Sequence, residues 1–280
     1  MKWFLSLLCG CVFFLPVFAN KLSVVSLSPN TTEIIYDLLQ DGAPENVELT
    51  GILYYPGQPS YYAKFEDIGG YQAINIAKII KLKPDVVITW KDQTDPKTLV
   101  LLRRFGINVS VFSAQTITEL KKAVMEIGRA LALSDIARES VRSFDHELKR
   151  IHETYGAADK NRPTVFIQIA DKPLYGIGGV GIINDVIDFC GGKNIFANID
   201  KISFMVNPEA ILLKNPDYII MLDGASKSIN RVDDSVWQRA LGLAAVKKHH
   251  VYRVSSAKIA QYSLKIISGI TQICDILHSH

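Results

Sequence analysis

The chain has 280 residues, 48% of them apolar, with 31 Lys and Arg against 28 Asp and Glu and a net charge of +3. Cations are interspersed with anions and form no block, the pattern of a solvated surface, which excludes a phosphate-tracking stripe for nucleic acid. The apolar content is enough to bury two cores of ordinary size.

Taken in chain order, MKWFLSLLCGCVFFLPVFA (residues 1–19) has one Lys, an apolar run and Val17-Phe18-Ala19, and reads as a secretory signal removed before Asn20. Pro16 breaks the run and no stop-transfer charge cluster follows it, which argues against a membrane anchor. LCGC ending at Cys11 leaves a lipoprotein as the alternative. KLSVVSLSP predicts a strand ended by Pro29, and NTTEIIYDLLQDG a helix with Asn30 and Thr31 suited to its cap and a stop at Gly42. VELTGIL is a second strand and NIAKIIKL a short helix that feeds PDVVITW, an apolar run of the kind found in buried parallel strands. LVLLRRFG and INVSVFS repeat the order helix, strand.

Residues 118–155 change to a helical tract of two helices, the second opening at Ser134 as its cap and running about 30 Å at 1.5 Å per residue. After the polar segment GAADKNRP come strand TVFIQIA, helices GIINDVIDFCGG and PEAILLK, strand DYIIML, helix SVWQRALG, strand HVYRVSS and helix LKIISGITQICDIL. The expected fold class is α/β: two Rossmann-like lobes, 20–115 and 161–280, with a helical connector over 116–160. A gapless internal repeat supports two similarly built lobes. INIAKIIKLKPDVVITW (Ile74–Trp90) and VNPEAILLKNPDYIIML (Val206–Leu222) match Asn75 with Asn207, Ile79 with Ile211, Pro84 with Pro216, Asp85 with Asp217 and Ile88 with Ile220. Chance is the alternative, because helix-to-strand joints everywhere favour Pro and Asp. Only Cys190 and Cys274 of the four cysteines lie beyond the leader; in an exported chain the expectation is that they pair, and two separate buried thiols are the alternative.

Ligands of open α/β sheets bind beyond the carboxyl ends of the strands, so two facing lobes make a cleft. Trp90 ends its strand and is followed by the polar KDQTD, which predicts a rim position against a ligand, with core packing as the other reading. LYYPGQPSYY supplies Tyr54, Tyr55, Tyr61 and Tyr62, flat faces with hydroxyl handles suited to a large planar ligand, or simply loop packing. Tyr71 in GGYQAIN and Tyr175 in KPLYGIGG fall in comparable loops. GIGGVG (176–181) matches G-x-G-x-x-G, but DKPLY separates it from its strand, so a flexible cleft-side loop is expected rather than a dinucleotide site. There is no G-x-S-x-G elbow and no H-E-x-x-H. None of the six His stands at a predicted strand exit, so neither an enzyme nor an imidazole metal centre is expected.

VVSLSPNTTEIIYDL, INIAKIIKLKPDVVITW, GINVSVF, FCGGKNIF and NPEAILLKNPD together resemble the periplasmic substrate-binding proteins that serve ABC importers of cobalamin, ferric siderophores and haem, the cobalamin binders most of all. The resemblance runs in the same order over nearly the whole mature chain. It implies two lobes joined by one long helix, little hinge motion, a monomer in the periplasm, a ligand held between the lobes, and a permease and ATPase complex as partner. Trp90 and Tyr55 match aromatics of the cobalamin site, Tyr71 and Tyr175 stand where those proteins have Trp and Phe, and Cys190 and Cys274 match their disulfide. Glu209 matches the acid by which the second lobe docks on the permease. The first-lobe docking acid is replaced by Pro96, with Asp95 beside it. A cleft Trp is replaced by Ser203, with Phe204 next to it, and a contact-rich stretch becomes AKIAQ (257–261). Cobalamin is the first expectation. Haem, which such proteins hold with a tyrosine, and a ferric siderophore, for which Lys91 and Lys258 are candidate cations, are the alternatives, and an exported paralogue outside transport is the remaining one.

Overall fold

The computed structural model describes residues 21–42, 46–91, 93–155, 162–223, 230–231, 237, 242–260 and 262–279. The leader with Cys11, residues 156–161 of the polar segment, Gln261 and the helix expected at SVWQRALG, apart from Trp237 and Gly242, lie outside them. The first lobe comprises β1 (Leu22–Ser26), α1 (Pro29–Gln40), β2 (Val47–Ile52), the short strands β3 (Glu66–Asp67), β4 (Gly69–Gly70) and β5 (Ala73–Ile74), α2 (Ile76–Leu82), β6 (Val86–Trp90), α3 (Pro96–Arg104) and β7 (Val109–Phe112). Five of its strands form a wholly parallel sheet in the order β3-β2-β1-β6-β7. Ser28 caps α1, its Oγ accepting the Thr31 N–H at 3.1 Å, and Pro29 takes the first helical position, where its missing N–H costs nothing. The cap therefore precedes the Asn30–Thr31 pair suggested by the sequence.

Two helices follow, α4 (Ile117–Ala130) and α5 (Ser134–Tyr155), then the second lobe: β8 (Thr164–Asp171), β9 (Leu174–Ile177), α6 (Ile182–Phe189), β10 (Lys193–Asn194), β11 (Ser203–Met205), α7 (Pro208–Lys214), β12 (Tyr218–Asp223), β13 (Asn230–Arg231), α8 (Ala244–Lys247), β14 (Val251–Ser255), α9 (Ser256–Ile259) and α10 (Ile267–His278). Its sheet runs β11-β9-β8-β12-β14-β13 with β10 also on β8. The strands β8, β10, β12 and β14 are parallel, β9 and β13 run antiparallel to them, and β11, antiparallel to β9, points the same way as β8. The hairpin β8–β9 and its partner β11 replace what the sequence suggested was a loop, so Tyr175 is a strand residue.

The internal repeat does the same work twice. Asn75 and Asn207 are the N-caps of α2 and α7, accepting the N–H of Lys78 and of Glu209, each at 3.0 Å. Ile79 and Ile211 are fully buried, as are Ile88 and Ile220. Lys83 and Asn215 turn the chain in left-handed conformation, at φ 48° and 44°. Pro then ends each helix, and Asp85 and Asp217 each bind the first strand of their own sheet: Asp85 Oδ2 accepts the Ser23 N–H at 2.7 Å, and Asp217 Oδ2 accepts the Thr164 N–H at 2.9 Å.

Alternate residues of the central strands feed different cores, as period-2 geometry requires for strands covered on both faces. Val25 and Val87 pack into a first-lobe core with Leu27, Ile68, Ile79 and Leu102, and Phe166, Ile219 and Met221 into a second-lobe core with Phe196 and Trp237. Their neighbours Val24, Val86, Ile88, Val165, Ile167 and Ile220 all join one continuous cluster with Leu120, Val124, Ile127, Phe144, Leu148 and Ile273 from α4, α5 and α10. The two sheets thus share a core through the connector helices. Gly128 lets α4 and α5 approach, because a Cβ there would collide with the Ala137 side chain.

The 22 residues of α5 extend about 33 Å at 1.5 Å per residue. The Ala137 N–H bonds to the Leu133 carbonyl at 3.0 Å, which makes Leu133 rather than Ser134 the cap position. Near its start Ser140 Oγ donates to Asp41 at 3.0 Å, and at its end the Tyr155 hydroxyl donates to Asp275 of α10. The helix α4 runs alongside and also meets the second lobe, the Ile117 N–H donating to Asp185 of α6 at 2.7 Å. Cys190, at the end of α6, is bonded to Cys274 of α10 across 84 residues of sequence, as expected.

Candidate functional site

The carboxyl ends of β2 and β6 and the β4–β5 hairpin carry the first-lobe aromatics. Tyr54 and Tyr55 follow β2, and Tyr54 is half exposed. Tyr71 tips the β4–β5 hairpin at 48% exposure. That hairpin depends on Gly69 (φ +100°), where a Cβ would strike the Ala73 carbonyl. Burial, and next the charge of Glu33, push the Tyr55 hydroxyl up to about 12, and burial raises Tyr71 as well, so both stay neutral hydroxyl donors at physiological pH. A cavity of about 710 Å³ opens between Tyr71 and α3, lined by Tyr71, Trp90, Lys91, Gln93, Thr94 and Asp95, with Tyr54 and Tyr55 outside its lining. The Oε1 of Gln93 has no hydrogen-bond partner among the described residues.

The tyrosine-rich loop divides. Tyr62 is 2% exposed, and Tyr61 stacks on Tyr36 of α1 with ring centroids 4.8 Å apart. These two rings pack against Tyr36 of α1, whereas Tyr54 and Tyr71 remain about half exposed.

Trp90 is 5% exposed rather than standing at an open rim. The cause is Tyr262, whose ring lies 5.4 Å away, tilted by 50°. Tyr262 follows α9 in the second lobe, yet its N–H donates to Oδ1 of Asn30, the second residue of α1, at 3.4 Å. Its hydroxyl faces the Ile182 N–H at the start of α6, while burial raises its pKa above the ordinary phenol value. Asn30 is 4% exposed, and its Nδ2 has no partner among the described residues. Behind this junction Lys265 binds Asp37 at 2.7 Å and Glu33 at 3.3 Å, tying the C-terminal segment to α1. Burial raises the pKa of Glu33 and of Asp37.

In the second lobe Tyr175 pairs with Met205 and Ser203 with Ile177 across β9 and β11. Cross-strand partners share a face, so Tyr175, Ser203 and Met205 line one side. Phe204 turns to the other, its ring edge-on to Phe196 at 5.1 Å, which separates it from Ser203. The glycines of GIGGVG are packing residues rather than a flexible loop: a Cβ on Gly178 or Gly179 would collide with the carbonyl of Lys201 or Ala197. The strand before them, β9, runs antiparallel to β8, so they stand outside the βαβ frame that a dinucleotide fingerprint requires. Lys91 is exposed and Lys258 half-buried.

Glu209 and Asp95 are both exposed at helix N-termini, in α7 and α3. They differ in engagement, since Asp95 Oδ1 accepts the Lys97 N–H at 3.0 Å and caps its own helix.

Sequence reasoning missed Tyr262 and Asn30. The only signal for the first was a single aromatic after the small residues of AKIAQ, and Asn30 read as a cap. Both matter because of contacts more than 230 positions apart in sequence, which no local pattern encodes.

The family model for periplasmic binding proteins matches residues 24–257. A vitamin B12-binding protein of Vibrio parahaemolyticus is 26% identical over 275 residues, covering 95% of this chain and 96% of its own. Among solved structures, the periplasmic vitamin B12 binding protein of Vibrio cholerae superposes with a TM-score of 0.76 at 24% identity, covering 91% of this chain and 96% of its own. The periplasmic haem-binding protein of the same species gives 0.74 at 16% identity, covering 92% and 99%. At those identities the solved structures establish the fold.

Proposed function

The chain belongs to the periplasmic binding protein family, and from that premise we propose that it is the solute-binding component of an ABC importer, carrying cobalamin or a related corrinoid between its lobes. Members of this family bind and hand over a solute and are not enzymes. The observation that carries the ligand reading is the pair Tyr71 and Trp90 lining an open cavity of about 710 Å³ at the strand exits of the first lobe, with Tyr54 and Tyr55 following β2 in the same lobe. A large planar ligand is held by such flat apolar faces with a few hydroxyls to fix its orientation. Tyr175 and Ser203 form the facing wall in this reading, with Met205 beside them, and Phe204 supports that wall from behind.

Release to a permease is assigned to the exposed acids. Glu209, exposed in the first turn of α7, is the principal docking group, and Asp95, engaged in its own cap, is the weaker one. The Glu209→Ala variant is expected to lower stimulation of the reconstituted importer and to leave ligand affinity unchanged, because a rim charge acts on partner association.

Titration of the protein lacking residues 1–19 with cyanocobalamin, dicyanocobinamide and haemin, followed by calorimetry, tests the ligand reading. A stoichiometric complex with a tetrapyrrole is expected, weakened about tenfold or more in Trp90→Ala by loss of the aromatic contact. Equal affinity in that variant would remove Trp90 from the site.

A further inference from the structure

We propose that the cavity between α1, α4, α5 and the chain entering α10 is a second binding site, separate from the ligand cleft, for an amphipathic amine: an apolar alkyl or aryl body carrying one ammonium group.

The cavity measures about 370 Å³ and shares no lining residue with the one at Trp90. Its apolar walls are Ile34 and Leu38 of α1, Val124 of α4, Phe144 of α5, and Leu264 and Ile267 at the entry to α10. A space of this size falls within the range of small-molecule sites, roughly 300 to 1,000 Å³, and such walls favour a hydrocarbon body that leaves water. The first lobe, the connector and the C-terminal segment each contribute, so the site is complete only where all three meet.

The polar part of the lining decides the class of ligand. Asp37, Asp41 and Glu147 stand there against a single cation, Lys265. Lys265 is already taken by Asp37 at 2.7 Å and Glu33 at 3.3 Å, and Glu147 meets Arg150 at 3.3 Å. Asp41 has no basic partner among the described residues; its Oδ2 accepts the Ser140 hydroxyl at 3.0 Å. It is also the C-cap of α1, whose last turn holds no basic residue, and the aligned peptide dipoles at a helix C-terminus disfavour an anion and favour a cation. Burial raises the pKa of Asp37 despite Lys265, and the charge of Asp41 one turn away adds to the rise. Like charges at that spacing repel. An ammonium group at Asp41 relieves both the repulsion and the conflict with the dipole, while its body covers the apolar walls. An alcohol of equal length covers the walls and leaves the conflict in place. A carboxylate adds a further anion to it.

Three probes of one chain length, n-octylamine, 1-octanol and octanoate, test the site by calorimetry at neutral pH on the protein lacking residues 1–19. Wild type is expected to bind one octylamine about tenfold tighter than octanol, the order that one charge-assisted contact supplies, and octanoate more weakly than either. Octylamine is also expected to raise the melting temperature as its concentration rises. Asp41→Asn is expected to lower octylamine affinity about tenfold and to leave octanol unchanged. Ser143 is an exposed α5 residue in the lining, and Ser143→Trp is expected to fill the cavity and abolish binding of octylamine and octanol, whereas Trp90→Ala leaves both intact. If Ser143→Trp fails to fold by thermal melting, Ser143→Leu carries the same expectation. Octylamine that does not bind wild type, binds no tighter than octanol, or changes affinity less than about twofold in Asp41→Asn overturns the proposal. Octylamine binding that survives in the folded Ser143 variant and is lost in Trp90→Ala places the amine in the first-lobe cavity and overturns it equally.

Discussion

The two lobes share a frame and differ in what they hang on it. Each uses an Asn cap, a buried Ile, a left-handed residue, Pro and Asp to pass from helix to central strand. At the end of that strand the first lobe places Trp90 beside a cavity of about 710 Å³. The second lobe places Leu222 beside one of about 280 Å³, lined by Gln168, Asp171, Asp223 and Arg253. The frame aspartates bind backbone within their own sheet, whereas the exit residues differ: Trp90 lies against Tyr262 of the second lobe, and Leu222 lines a cavity of second-lobe residues. Repetition in the sequence therefore reports how a lobe is built, and the departures from repetition report how the two lobes differ at their strand ends.

The sharpest asymmetry is covalent. Among the described residues only the second lobe is stapled, by Cys190–Cys274, across 84 residues. In the chain-entropy account a loop of that size contributes roughly 4 kcal/mol. Reduction is expected to lower the stability of the second lobe by that order in denaturant melts, with the first-lobe aromatic signals changing later. Coincident loss of both signals would mean that the shared core makes the lobes one cooperative unit.

Next in size is the paired aspartate. Asp217 accepts both the Thr164 N–H and the Thr164 hydroxyl, at 2.9 and 2.7 Å, in a part-buried setting, while Asp85 accepts one N–H at an exposed position. Asp217→Ala is expected to cost about 2 kcal/mol and Asp85→Ala under about 1 kcal/mol, following charged hydrogen-bond values. Burial alone would raise Asp217, but its hydrogen bonds to Thr164 and the charge of Lys248 outweigh it and lower the pKa. Its contribution is present above 3.8 and lost as pH falls through the lowered folded value. The interlobe acids have the opposite sign. Glu33 and Asp37, raised by burial, stabilise the fold most fully below their ordinary values and lose that contribution as pH rises through the folded ones. Acid melts of Asp217→Asn should therefore lose the acid-side decline that wild type retains; an unchanged profile would assign that decline elsewhere.

These differences explain what could be read in advance. The parallel strands, the helices that feed them and the long α5 were legible, because apolar runs, Pro-Asp joints and 3.6-residue periodicity act locally. The hairpin that holds Tyr175 was not, since its glycines looked like a loop and are explained only by carbonyls of residues 197–201. Trp90 was legible as a strand end, but not as covered, because its cover comes from Tyr262. The tyrosines of one loop looked equivalent, and only packing on Tyr36 separates Tyr61 and Tyr62 from the rest.

The smallest effect isolates the frame from its decoration. Lys83 and Asn215 occupy the same left-handed turn, at φ 48° and 44°, but L side chains differ in tolerating it. Asn visits this region several-fold more often than most residues, whereas Lys meets the usual Cβ conflict with the following carbonyl. Both turns are exposed, but Asn215 Oδ1 also accepts the Ala244 N–H at 2.8 Å, a contact specific to the second lobe. Lys83→Asn is expected to stabilise the first lobe by about 0.5 kcal/mol, and Lys83→Gly by up to about 1 kcal/mol less the extra entropy of an unfolded glycine. Asn215→Lys is expected to destabilise the second lobe by the amount that Lys83→Asn gains plus about 1 kcal/mol for the lost Ala244 hydrogen bond. Urea melts that gave the two exchanges the same sign would show that the turns are not equivalent, and that the gapless repeat ends at the helix rather than running through the joint.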